Sequence, residues 1–192
     1  MLDLLQLKRY ALVMVYALCF TLPTQAQQTN LSAPRKAVRI SGDVVVGTLA
    51  AAGVAAVLAQ KDWQGLKQGA LAGVTTVGVS LALKYIVKEE RPDHSNKHSF
   101  PSMHTSTAFT AAAFIQRRYG WKWGAPAYAL STYVGWTRAF ARKHHWWDVL
   151  AGAAIGTASS YIFTTPFARK HELVIAPFTE YGKYGLHAAM KF

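Results

Sequence analysis

The chain has 192 residues, 52% of them apolar and 16% charged, with a single cysteine. That composition excludes a disordered chain, a disulfide scaffold and a zinc centre built on cysteines. A net charge of +12 calls for a polyanionic neighbour, whether nucleic acid, an anionic membrane or a phosphorylated substrate, while a mean hydropathy of +0.11, low for a mostly lipid-buried chain and high for a soluble one, leaves that choice open.

Residues 1–26 read as a targeting segment. Lys8 and Arg9 precede an apolar run at 10–22, Pro23 breaks it, and Thr24-Gln25-Ala26 offers small residues at the spacing of a cleavage site. The run is short for a membrane span, so a cleaved signal peptide is expected, with an uncleaved first transmembrane helix as the alternative. Either way the chain is expected to be exported. If cleavage follows Ala26, the mature chain has no cysteine, because Cys19 is lost.

A polar stretch at 27–36 leads into five apolar segments at 44–60, 68–83, 99–116, 123–137 and 149–168. They are rich in Ala, Gly, Ser and Thr, lack period-two alternation and exceed ordinary strand lengths, so helices that approach one another closely are predicted. Their lengths straddle what a bilayer span needs. The connector 117–122, with Arg117, Arg118 and Lys122 beside Tyr119 and Trp121, has the character of a cytoplasmic interfacial loop. The domain is therefore expected to be an all-α bundle of five to six helices over 27–170, membrane-embedded, with a soluble bundle as the alternative. The tail, 171–192, reads as a C-terminal β-hairpin turning around Tyr181-Gly182-Lys183.

Charged clusters interrupt the ends of these segments. Lys84 and Arg91 stand seven apart, about two helical turns, which would put both on one helix face before Pro92 stops the helix. Two such cations suit a doubly charged anion like phosphate. Pro101-Ser102 marks a helix start whose free N–H groups and Ser102 hydroxyl could hold an anion, with Met103 and His104 in the first turn. His104 there could hand a proton to a departing alkoxide. Arg138 offers a further fork of donors, and Asp148 stands four residues after His144 and three after His145. A carboxylate on one ring nitrogen raises the nucleophilicity of the other, but spacing alone does not choose between the two histidines.

Taken in order, Lys84…Arg91-Pro92, Pro101-Ser102-Met103-His104 and Arg138…His144…Asp148 resemble the motifs of the type 2 phosphatidic acid phosphatase (PAP2) superfamily, which contains lipid phosphatases, bacterial acid phosphatases and vanadium haloperoxidases. Met103 stands where the family usually has Gly, and Thr137 where it usually has Ser. The resemblance implies that His144 is a nucleophile forming a phosphohistidine, that Asp148 orients it, and that His104 protonates the leaving oxygen and then activates water. It further implies that Lys84, Arg91, Ser102, the Met103 N–H and Arg138 hold the phosphoryl oxygens, with no metal and no cofactor. The expected activity is a metal-independent phosphatase acting on a phosphorylated lipid at an anionic membrane, its site facing the periplasm. A soluble periplasmic acid phosphatase, a non-catalytic lipid- or anion-binding protein and, for so short a chain last of all, a haloperoxidase are the alternatives. Nucleic-acid binding would explain the charge but none of the motif pattern.

Overall fold

The computed structural model describes Val13, residues 32–167 and, as backbone, two strands between 172 and 191. The predicted targeting segment lies outside the described residues except for Val13, which is helical and packs against the hydrophobic core. Five helices follow: α1 (Ala33–Ala59), α2 (Trp63–Val87), α3 (Met103–Tyr119), α4 (Trp121–Phe140) and α5 (Trp146–Phe163).

Local chemistry sets their ends. Pro34 sits in the first turn of α1, where a missing N–H costs no helical hydrogen bond. Asp62 caps α2 by accepting from the Gly65 N–H at 2.8 Å. Lys88 takes the left-handed conformation (φ 49°) that closes α2. Gly120, at φ +92°, is the whole connector between α3 and α4, because only glycine adopts that backbone readily. The expected basic loop at 117–122 is therefore almost entirely helical. Helix α1 also begins well ahead of its apolar segment, and α3 starts at Met103 rather than at 99.

Helix α3 is the centre of the bundle and packs against each of the other four. Its small residues Ala108, Ala111 and Ala112 are fully buried with Phe114, and Val46, Val57, Leu66 and Val134 close over them. Close approach to α5 rests on glycine. A Cβ on Gly152 would lie 2.6 Å from the Ser102 carbonyl oxygen, and one on Gly156 would collide with the Ser106 carbonyl. Hydroxyls tie the same seams, with Ser160 Oγ donating to Thr110 O at 2.7 Å and Ser131 Oγ to Ala108 O at 2.9 Å.

Helices α1 and α2 are long and apolar enough to cross a bilayer. Ile40, Val44, Leu58, Leu71, Val74 and Ile86 point outward from them. Exposed Trp121 and Trp123 gird one end, and exposed Trp136, Trp146 and Trp147 the other. Along α4, at about 1.5 Å per residue, Trp121 and Trp136 stand about 23 Å apart, the separation of two interfacial aromatic belts. These are the marks of a membrane protein.

At the end of the bundle away from the sequence motifs, Arg118 is buried against Asp62. Its Nε donates to Asp62 Oδ2 at 2.6 Å and its Nη2 to Oδ1 at 2.5 Å, and Nη1 reaches the Thr165 carbonyl at 2.8 Å. Strands β1 (Glu172–Glu180) and β2 (Lys183–Lys191) pair antiparallel from Glu172↔Lys191 to Glu180↔Lys183, as the hairpin reading expected.

Candidate active site

The site is assembled at one end of the bundle from the close of α2, the loop 88–102, the start of α3, the close of α4 and the start of α5. Its anchor is the N-terminus of α5. His145 occupies the N-cap, and Asp148, three residues on, accepts from the His145 backbone N–H at 2.8 Å. That capping carboxylate is fully buried. Its Oδ2 also accepts from Ser99 Oγ at 2.5 Å and lies 3.6 Å from His144 Nδ1 and 3.5 Å from His145 Nδ1. The Asp148 carbonyl accepts from the Ser102 N–H at 3.0 Å, so the second motif is stitched to the third.

The two histidines now separate. His144 is 4% exposed, whereas the His145 ring lies flat on Trp147 at 4.4 Å, is 28% exposed and faces Glu89 Oε1 at 3.5 Å. Burial drives the His144 pKa down to about 3, against the pull of Asp148 and aided by the Arg91 and Lys84 charges. The ring is thus neutral at ordinary pH, with Nδ1 toward a carboxylate and Nε2 left as the free nitrogen. Burial also pushes the Glu89 carboxyl up, and nearby Asp148 adds to this against the hydrogen bond from Trp147 Nε1.

Lys84 and Arg91 do not share a helix face as the spacing suggested. Helix α2 ends at Val87, four residues before Arg91, because Lys88 turns left-handed. Both cations nevertheless reach the cluster. Lys84 Nζ donates to the carbonyls of His98 (2.8 Å), Ser99 (3.3 Å) and Pro101 (2.7 Å), which folds the second-motif loop over it. Arg91 carries a buried Nε with no hydrogen-bond partner, and its charge acts on His104, Arg138 and His144 alike. Beside it, burial works to raise the Asp93 carboxyl, but the Lys143 hydrogen bond at 2.6 Å leaves it below the usual carboxylate range.

Ser102 stands at the N-cap of α3 with its hydroxyl on Thr105 Oγ1 at 2.9 Å, and the N–H groups of Met103 and His104 belong to the first turn, which has no intrahelical acceptor. His104 and Arg138 meet through a residue the sequence reading passed over. Asp43 of α1 places Oδ1 3.1 Å from His104 Nε2 and 2.8 Å from Arg138 Nη1. Arg138 is held further by Nη2 on the Arg39 carbonyl at 2.6 Å and Nε on Thr137 Oγ1 at 3.2 Å. Asp43, Arg39, Ser99 and Glu89 were missed as site residues. A carboxylate bordering an apolar span was the one available signal for Asp43.

Glu89, His145 and Asp148 form the one group among the described residues with metal-ligand spacing. The two 3.5 Å separations from His145 Nδ1 match adjacent ligands on one ion. However, Asp148 Oδ2 already accepts from Ser99 and the His145 N–H, and Lys84 and Arg91 add positive charge beside it. The donor set therefore suits holding a proton better than a dication. A groove of about 1090 Å³, lined by Leu49, Ala56, Gln60, Arg118, Trp123 and Phe167, lies at the other end of the bundle and includes none of these residues.

The bundle buries a His–Asp pair beside Arg91, Arg138 and a helix N-terminus, an arrangement suited to holding an anion. The PAP2 superfamily model matches residues 66–172, more than half of the 192, and the chain belongs to that superfamily. It is 32% identical over 124 residues to a lipid A 4'-phosphatase of Helicobacter pylori, covering 59% of this chain and 63% of that protein. It is 34% identical over 100 residues to a lipid A 1-phosphatase of Porphyromonas gingivalis, covering 50% of this chain and 22% of that one. The chain thus spans less than two thirds of either relative. Among solved structures, LpxE from Aquifex aeolicus superposes with a TM-score of 0.55 at 22% identity, over 78% of this chain and 92% of that one, a likeness of fold.

Proposed function

We propose that the protein is a phosphatase of membrane lipids that works without a metal ion through a phosphohistidine. The observation that carries this reading is the buried, neutral His144 ring with Nδ1 turned to Asp148 and two cations at hand. In the first step the His144 Nε2 lone pair forms a bond to phosphorus as the ester P–O bond breaks. His104 gives its proton to the departing oxygen, and Asp148 stabilises the charge that appears on His144. In the second step water attacks phosphorus, the P–N bond breaks, and His104 takes the proton from water. Arg91, Arg138, Ser102 and the N–H groups of Met103 and His104 stabilise the equatorial oxygens; Lys84, committed to three carbonyls, contributes charge and holds the loop.

The substrate is a phosphorylated lipid, and a lipid A phosphate is the first candidate, because the two bacterial relatives are named for that activity. The site faces the periplasm. In support, Lys8 and Arg9 followed by the apolar run at 10–22 have the pattern of an export signal. We further propose that 1–26 is an export segment, that 27–170 is the phosphatase domain and that the hairpin tail is an appendage. Phosphate release from phosphatidic acid and from lipid A, by detergent-purified protein in EDTA, tests the reading. Release by wild type and none by His144→Ala is expected. Equal release by the two would overturn it, and release from phosphatidic acid alone would remove lipid A as substrate.

A further inference from the structure

Of the charged groups at the site that the mechanism leaves unused, Asp43 touches two residues that the mechanism needs. Asp43 enters from α1, the helix outside the three motifs, and its Oδ1 is shared by His104 Nε2 at 3.1 Å and Arg138 Nη1 at 2.8 Å. Its Oδ2 faces Arg39 Nη1 at 3.9 Å. Both histidine and carboxylate are largely shielded, each side chain being 18% exposed. Helix α1 is brought this near by Gly42, where any Cβ would collide with Thr137 Oγ1 and Arg138 Nη2. An ionisable residue beside an apolar span is costly unless it is paired, and here both of its partners belong to the site.

We propose that Asp43 is the positioning residue of the leaving-group acid, the counterpart for His104 of what Asp148 is for His144; this rests on the phosphatase reading above. Three consequences follow from the geometry. With Nε2–H donating to Asp43, the tautomer of His104 is fixed, and Nδ1 is the nitrogen that carries the transferable proton. The imidazolium that must exist before proton transfer would lie beside the Arg138 guanidinium, and the Asp43 carboxylate between them relieves that repulsion. The same oxygen holds Arg138 in its fork orientation, so the acid and one phosphate donor are set from a single atom. The proton passes from His104 Nδ1 to the ester oxygen as the P–O bond breaks, leaving neutral His104 still bonded to Asp43.

A structural role and a role through His104 differ in their dependence on the leaving group. An alkoxide leaving from a lipid phosphate needs the proton, whereas the nitrophenolate of p-nitrophenyl phosphate leaves without it. Asp43→Asn keeps the size and removes the charge. Leaving-group release in the first turnover, before water attack contributes, should fall for phosphatidic acid by about tenfold to a hundredfold more than for p-nitrophenyl phosphate. In a His104→Ala background, Asp43→Asn should add no further leaving-group discrimination. Equal losses on the two substrates would overturn the proposal and reduce Asp43 to a support for Arg138, and no loss on either would overturn it outright. The comparison is independent of the nucleophile. Persistent activity in His144→Ala would count against the phosphohistidine, while the Asp43 result would still be read from the ratio of the two substrates.

Discussion

At the scale of single residues, the site depends on a histidine that is neutral because it is buried. His144 has its pKa lowered from 6.5 to about 3, so between those values an unfolded chain takes up a proton that the folded one refuses. The sign follows directly: unfolding gains protons, and stability falls as pH drops through that window. Replacing His144 with Phe removes this linkage. Thermal scans in detergent at about pH 7 and about pH 4.5 should show a smaller acid-induced drop in Tm for His144→Phe than for wild type. An identical drop would mean that other groups govern the acid limb. Asp148→Asn makes a sharper test of the capping carboxylate. It keeps an acceptor for the His145 N–H but loses the charge facing His144, so kcat of the folded protein should fall by orders of magnitude, and Tm should fall as well because Lys84 and Arg91 lose a neighbouring anion.

At the scale of elements, the contact of α3 with α5 sets the geometry, because the second motif starts one helix and the third motif starts the other. Glycine at 156 lets the two backbones touch. Gly156→Leu should destabilise the bundle by about 1–3 kcal/mol and lower activity, since any relief of the clash moves α3 and Ser102 away from Asp148. Much of this level was legible in the sequence. A bundle of five to six helices, the α3 start at Pro101-Ser102 and a C-terminal hairpin all follow from apolar runs and turn residues. What escaped has a common physical origin. The end of α2 at Val87 depends on one residue, Lys88, adopting φ 49°, which residue type does not announce. The Asp43–His104 and Ser99–Asp148 contacts join positions far apart in the chain, and periodicity carries no information about such pairs. Spacing left His144 and His145 undecided and the resemblance pointed to His144; burial is the physical difference between the two rings, which spacing could not supply.

At the scale of the whole molecule, the two ends of the bundle do different work. One end gathers the cationic site, and the other is locked by Arg118 against Asp62 and the carbonyls that follow α5. Arg118→Leu strands a buried carboxylate and should cost about 3–5 kcal/mol, with kcat/KM of the folded fraction close to wild type because the pair is remote from the chemistry. The exposed apolar flanks and the two tryptophan belts predict retention in the membrane after carbonate washing. A protein released by that treatment would instead be the soluble acid phosphatase of the alternative reading. On the proposed reading, the net charge of +12 would serve both an anionic substrate and an anionic lipid surface.

The central claim is that His144 becomes covalently phosphorylated. Protein mixed briefly with radiolabelled phosphatidic acid or lipid A, in EDTA, and quenched in alkali should carry label that is stable to base, lost in acid and mapped to the peptide bearing His144. Asp43→Asn should slow its appearance, and His144→Ala should abolish it. Label on His145, or turnover of phosphate with no protein-bound label in the wild type, would contradict the account.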